Sequence, residues 1–137
     1  MAYRKYVGGF ALSLALVLSF GSSPAAAVSP VAAGCTTEGA SGYLQIDNWT
    51  NPGAKIKVHM EITDSRKDGH HVQMRLVTKR HGDVTHYWPW RMNAGGHGET
   101  VVVRTTAKDD RGIFEAGMQI ARFDKKNKQL NSCSDWA

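Results

Sequence analysis

The sequence predicts an all-β fold: a single antiparallel β-sandwich of about seven strands with one end-to-end disulfide. Three observations carry this. Short apolar runs with period-two alternation recur along the chain, and turn residues separate them at fairly even spacing. No stretch after the first 27 residues has a helical period. The only two cysteines, Cys35 and Cys133, stand near the two ends of what remains. Regular short strands of this kind point to a sandwich or, alternatively, a small barrel.

The first segment, 1–27, has the three zones of a secretory signal peptide. Arg4 and Lys5 are followed by the uncharged apolar run Phe10 to Phe20 and then by small residues ending in Ala25-Ala26-Ala27, which predicts cleavage after Ala27. The run is about eleven residues, short of the roughly 20 that a spanning helix needs. No later segment is apolar enough to cross a bilayer, so the mature chain is expected to be secreted, with no membrane contact after the signal is removed. Ala32-Ala33-Gly34-Cys35 offers a rival lipoprotein cleavage box. It lies beyond Pro24 and Pro30, well past the apolar run, and has Ala where Leu is preferred.

The full chain has 17 Lys and Arg against 12 Asp and Glu, a net charge of +5. Losing Arg4 and Lys5 leaves 15 against 12, or +3. The basic residues are scattered and the densest group, Lys125-Lys126-Asn127-Lys128, reads as a solvated turn. No nucleic-acid partner is inferred from so weak and dispersed a charge. Two cysteines in an oxidising compartment allow a single pairing, Cys35–Cys133. Neither a CxxC nor a cysteine close to a His suggests a redox or metal role.

Residues 28–42 read as a flexible N-terminal segment, small at first and then rich in Gly, Ser and Thr, with the sandwich domain over 43–137. Tyr43 to Trp49 places Leu44 and Ile46 on one face, and Asn51-Pro52-Gly53 turns the chain. Ile56, Val58, Met60 and Ile62 then alternate with Lys57, His59, Glu61 and Thr63. Asp64 to Gly69 ends in Asp68-Gly69, a hairpin signal. Val72, Met74 and Leu76 alternate up to Arg80, and His81-Gly82-Asp83 turns again. Thr85 to Met92 is extended and aromatic; Asn93 to Gly98 is a Gly-rich loop; Thr100 to Thr106 is mostly β-branched. After the turn Lys108 to Gly112, an apolar stripe of Phe114, Ala116, Met118 and Ile120 runs to Phe123, and a last strand covers Gln129 to Cys133.

The order of these features resembles that of a group of small secreted actinobacterial β-sandwich proteins of unassigned function. The residues that carry the likeness are the export signal, the early Cys35, the strand ending at Asn48-Trp49, the turn containing Asp68-Gly69-His70, the Trp-rich middle strand, the Gly-rich loop and the late Cys133. The resemblance implies the sandwich and the disulfide and carries over no catalytic residues.

The sequence carries few signatures of metal or catalytic chemistry. The six His (His59, His70, His71, His81, His86 and His97) show no spacing that converges on a metal, and no metal or other cofactor is expected. Asp64-x-Arg66-x-Asp68-Gly69 has the Asp and Gly of a calcium loop, but Arg66 stands where an oxygen ligand belongs and Arg75 where the closing Glu should be. Neither Gly-x-Ser-x-Gly nor a phosphate-binding glycine loop occurs. Glu61, Glu99 and Glu115 with several Asp leave a carboxylate pair for hydrolysis open. Asn48-Trp49-Thr50 matches a glycosylation acceptor.

The most informative stretch is His86-Tyr87-Trp88-Pro89-Trp90-Arg91. As a regular strand it would put His86, Trp88 and Trp90 on one face and Tyr87, Pro89 and Arg91 on the other. Pro89 confines it to a sheet edge or a bulge. Trp88 and Trp90 could stack on sugar rings or anchor a protein, with Tyr87 and Arg91 as partners. Alternatively, one or both Trp fill the core. The expectation is a monomeric, non-enzymatic secreted module that binds an extracellular polysaccharide or protein. A hydrolase inhibitor presenting Asn93–Gly98 or Lys108–Gly112, and a small hydrolase, are the alternatives.

Overall fold

The computed structural model describes residues 21–137; most of the expected signal segment lies outside them. Residues 21–30 are exposed and without regular structure, and the expected cleavage point after Ala27 falls within them. Nine strands follow, where about seven are expected from sequence: β1 Val31–Thr37, β2 Ala40–Asp47, β3 Ile56–Asp64, β4 His71–Arg80, β5 Val84–Tyr87, β6 Arg91–Met92, β7 Thr100–Ala107, β8 Glu115–Phe123 and β9 Gln129–Trp136. They form two antiparallel sheets, one ordered β1-β2-β3-β7 and the other β5-β4-β8-β9 with β6 also on β4. The all-β sandwich with its Cys35–Cys133 bond is as the sequence predicts.

The alternation of β3 places Ile56, Val58, Met60 and Ile62 in the core, each no more than 2% exposed. Leu44 and Ile46 join them from β2, and Val72, Met74, Leu76, Met118 and Ile120 face them from the other sheet. Gly42 lets β2 approach that sheet: a Cβ there would lie 2.5 Å from Met118 Cε.

The segment read as a flexible lead-in, 28–42, needs correction. From Val31 it is β1, paired along its length with β2 from Val31↔Ile46 to Thr37↔Ala40. Its residues are small because β1 is a sheet edge lying near β9, and bulk on its inner side would hold the sheets apart. The hairpin read at Asp68-Gly69 also differs: β3 and β4 belong to different sheets, so Ser65–His70 crosses between layers. Gly69 takes a left-handed φ of 73° there, which explains the Gly without a hairpin. Phe114 precedes β8 and is exposed, edge-on to His81, so the apolar stripe starts at Ala116.

Cys35 on β1 and Cys133 on β9 bridge the two sheets at one side, with a Cα–Cα distance of 6.2 Å. Beside the bond, Gly34 N donates to Asp135 Oδ2 at 2.9 Å. The opposite side, between β7 and β5–β6, has no such clasp; Trp88 packs there against the core.

Candidate functional site

The aromatic stretch is an edge element, as Pro89 requires, but its two faces are not those of a regular strand. Tyr87 pairs with Val77, and Arg91 pairs with Met74. Three steps along β4 therefore match four along its partner, so one extra residue is accommodated between Trp88 and Trp90. This is a β-bulge at Pro89, where the missing N–H leaves no ladder bond to lose. Because side chains alternate with period two, one inserted residue moves everything beyond it to the opposite face.

The bulge separates the two tryptophans. Trp88 points inward, packs against the core and donates from Nε1 to Thr78 Oγ1 at 3.0 Å. The core alternative holds for Trp88, with a buried hydroxyl satisfying its N–H. Trp90 points outward beside Tyr87. Arg91, expected to share a face with Tyr87, instead lies at the open side with Trp88, Pro89 and Thr105. His86 lies edge-on to Trp88, with ring centroids 5.0 Å apart. Of the four candidate binding residues, Tyr87 and Trp90 come together; Trp88 and Arg91 do not join them.

The outer face of the five-stranded sheet contributes more than the sequence reading found. The Arg75 guanidinium, from β4, lies 4.1 Å from the centroid of Tyr87 and 4.3 Å from that of Trp90. Its Nε donates to Gln119 Oε1 on β8 at 2.8 Å. Burial pulls its pKa below the ordinary arginine value, and the Tyr87 phenol opposes that. Trp90 meets Phe123 edge-on at 5.2 Å, and His71 stacks on Phe123 at 5.6 Å. Gln73 Nε2 donates to Asn127 Oδ1 at 3.1 Å beside them. Tyr87 and Met92 are about half exposed.

Across the sheet, Trp136 of β9 pairs with Gly117 of β8, which pairs with Val77, which pairs with Tyr87. At about 4.8 Å per strand, Trp136 lies roughly 14 Å from Tyr87 on the same face. Its ring lies down on Gly117, where a Cβ would be 2.9 Å from Trp136 Cε3. Lys79 Nζ sits 5.5 Å from the Trp136 centroid and also binds Asp83 and Glu115. The result is an outer face with an aromatic cluster of Tyr87, Trp90 and Phe123, the Arg75 guanidinium and Gln119 amide beside it, and Trp136 farther across the sheet.

The outward positions of β4 (His71, Gln73, Arg75) can be read from its alternation. Their adjacency to Gln119, Phe123 and Trp136 cannot, because β4 meets β8 only after the chain has crossed between sheets twice more.

The outer face of the other sheet holds a groove of about 730 Å³ lined by Tyr43, Gln45, Asp47, Lys57, His59, Glu61 and Arg104, among others. His59 Nε2 and Glu61 Oε1 are 2.9 Å apart, and Gln45 Nε2 donates to Asp47 Oδ2 at 3.1 Å. Asp47 and Glu61 stand at opposite ends, four residues apart in register, about 13 Å along the strands. That is wider than the roughly 5–9.5 Å between glycosidase carboxylates. Among the described residues, no three His, Cys, Asp or Glu side chains are placed to share a metal ion. Asp64, Asp68 and Gly69 form no such site: Asp64 Oδ1 accepts from Arg66 N, and Asp68 Oδ2 from Arg122 Nη1.

Comparison of the chain with protein-family models, with curated proteins and with solved structures gives no match. The functional reading rests on the geometry of this face.

Proposed function

We propose that this chain is an exported, non-enzymatic module that binds a polysaccharide on the outer face of its five-stranded sheet. The observation that supports this most is the placement of Tyr87 and Trp90 on one face with the Arg75 guanidinium against both rings. Sugar rings present apolar C–H faces that stack on aromatic rings, and hydroxyls that bond to amide and guanidinium groups. Gln119 and Arg75 supply such groups on this face, beside Tyr87 and Trp90. A protein-binding patch would be expected to have a more apolar centre. Here the exposed apolar side chains of the sheet other than its aromatics are Val84, Met92 and Leu130, scattered over three different strands. Export is supported by the signal-like N-terminus and by the disulfide, which suits an oxidising compartment.

The test is affinity electrophoresis through gels containing soluble glycans, neutral and acidic. Retardation by at least one glycan, weakened tenfold or more in Trp90→Ala and in Tyr87→Ala with unchanged circular dichroism, is the expected result. Retardation that survives both substitutions would overturn the assignment of this face.

One observation favours the inhibitor alternative. Asn93 holds the Gly-rich loop rigid, with Nδ2 donating to Ile62 O and Glu99 O and Oδ1 accepting from Gly95 N and Gly96 N. A rigid exposed loop is what a tight inhibitor presents. Titration against secreted proteases and glycosidases separates the two readings.

A further inference from the structure

We infer that the polysaccharide bound by this face is acidic, and that Arg75 receives a sugar carboxylate between Tyr87 and Trp90. This rests on the polysaccharide reading above and adds the class of ligand.

Arg75 is a cation placed without its counter-charge. Among the described residues, the carboxylate ion pairs of Lys and Arg are made by Arg66, Lys79, Arg80 and Arg122. Lys79, the other strong cation near this face, has Asp83 Oδ1 at 2.6 Å and Glu115 Oε2 at 3.6 Å. Arg75 has Gln119 alone, through Nε, and neither terminal nitrogen bonds a protein acceptor among the described residues. Its neighbours in register are Gln73, Val77, Gln119 and Ala121, all uncharged.

A half-buried guanidinium loses hydration, and nothing on the protein repays it with opposite charge. Two aromatic rings hold the planar group in place by cation–π attraction. The outer edge of the fork therefore faces away from Nε with its orientation already set, which suits bidentate capture of a planar carboxylate. A neutral sugar needs no such group; the Gln119 amide would serve it. Flanking rings would stack on the same sugar or its neighbours, so the carboxylate contact and the stacking act on one chain of residues.

The experiment compares polygalacturonate, alginate and hyaluronan with the carboxyl-reduced form of each, by isothermal titration at low ionic strength. At least one acidic polymer should bind the full mature protein tenfold or more tightly than its reduced counterpart. Arg75→Gln should lose that preference and bind both forms equally, while Arg75→Lys keeps part of it. Trp90→Ala should weaken both forms together. Equal binding of acidic and reduced polymers by the wild type overturns the acidic assignment and leaves the polysaccharide reading standing. Preference that persists in Arg75→Gln with wild-type circular dichroism also overturns it. If none of the six polymers binds, the acidic assignment fails, and binding of other neutral glycans then decides the broader reading. Tighter binding of dextran sulfate than of every uronate would replace the carboxylate by a sulfate ester and overturn the assignment as stated.

Discussion

At the residue scale, two tryptophans two positions apart have different roles. Trp88 fills the open side of the core and satisfies its N–H on Thr78. Trp88→Ala is expected to cost about 2–4 kcal/mol, since it opens a partly lined cavity and strands a buried hydroxyl. Trp90→Ala removes an outer ring resting on Phe123 and should cost no more than about 1–2 kcal/mol. Urea unfolding of both variants checks the order; equal losses would mean that both indoles are core. The sequence showed that Pro89 demands an edge or bulge, but not which. Only the pairing of Arg91 with Met74 instead of Gln73 reveals the extra residue, and that pairing is a property of two strands together. Asn93 carries a similar lesson. It reads as an ordinary loop residue, yet it is 3% exposed and uses its amide at both ends. Asn93→Ala leaves Gly95 N and Gly96 N without their acceptor and takes one donor from Ile62 O and from Glu99 O, which keeps Asp64 N, and is expected to cost about 2–4 kcal/mol by the same measurement.

At the element scale, what alternation alone can specify was legible. The inward set of β3 and that of β4 follow directly from period two. β1 was not legible, because Val31-Ala32-Ala33-Gly34 has the composition of a linker and becomes a strand only by pairing with β2. Propensity is weak at such an edge, and the tertiary partner decides. β9 extends beyond the Gln129–Cys133 that the sequence predicts for a related reason: Ser132, Ser134 and Asp135 lack apolar alternation, and Gly117 on the neighbouring strand is what seats Trp136. A Cβ at Gly117 would come within 2.4 Å of Asp135 O, a backbone atom that cannot swing aside. Gly117→Ala should therefore push β9 away from β8, lower stability by about 1–3 kcal/mol, and detach Trp136 from the outer face. Hydrogen exchange of the β9 amides tests this: protection lost from Ser134 to Trp136 is expected, and unchanged protection would show that β9 does not depend on the glycine.

At the scale of the whole molecule, the sandwich is held at its sides and ends by different means. The disulfide joins β1 to β9 across 98 positions of sequence, and a loop of that size constrains the unfolded chain by up to about 4.7 kcal/mol in the chain-entropy account. Two carboxylates, each set against a cation, tie loops to sheets. Burial alone would raise the Asp68 carboxyl, but His70 N and the Arg122 guanidinium outweigh it and hold its pKa below 3.8. Asp109 follows the same pattern: burial is opposed and exceeded by Arg80, at 2.6 Å, and by Arg111 N, so its pKa is also depressed. Both groups bind their proton less readily when folded than when unfolded. Their contribution is therefore complete above the unfolded value near 3.8 and is lost as pH falls through the lower folded values. Thermal melts should show a flat midpoint down to about pH 5 and a steep fall below pH 4. Asp68→Asn and Asp109→Asn should each start lower at neutral pH and fall less steeply in acid, because the group whose protonation drives the loss is gone. A wild-type acid slope retained in the double variant would assign the sensitivity to other carboxylates. Asp124 is the first to examine, because Lys128 N and Lys126 N depress its pKa as well.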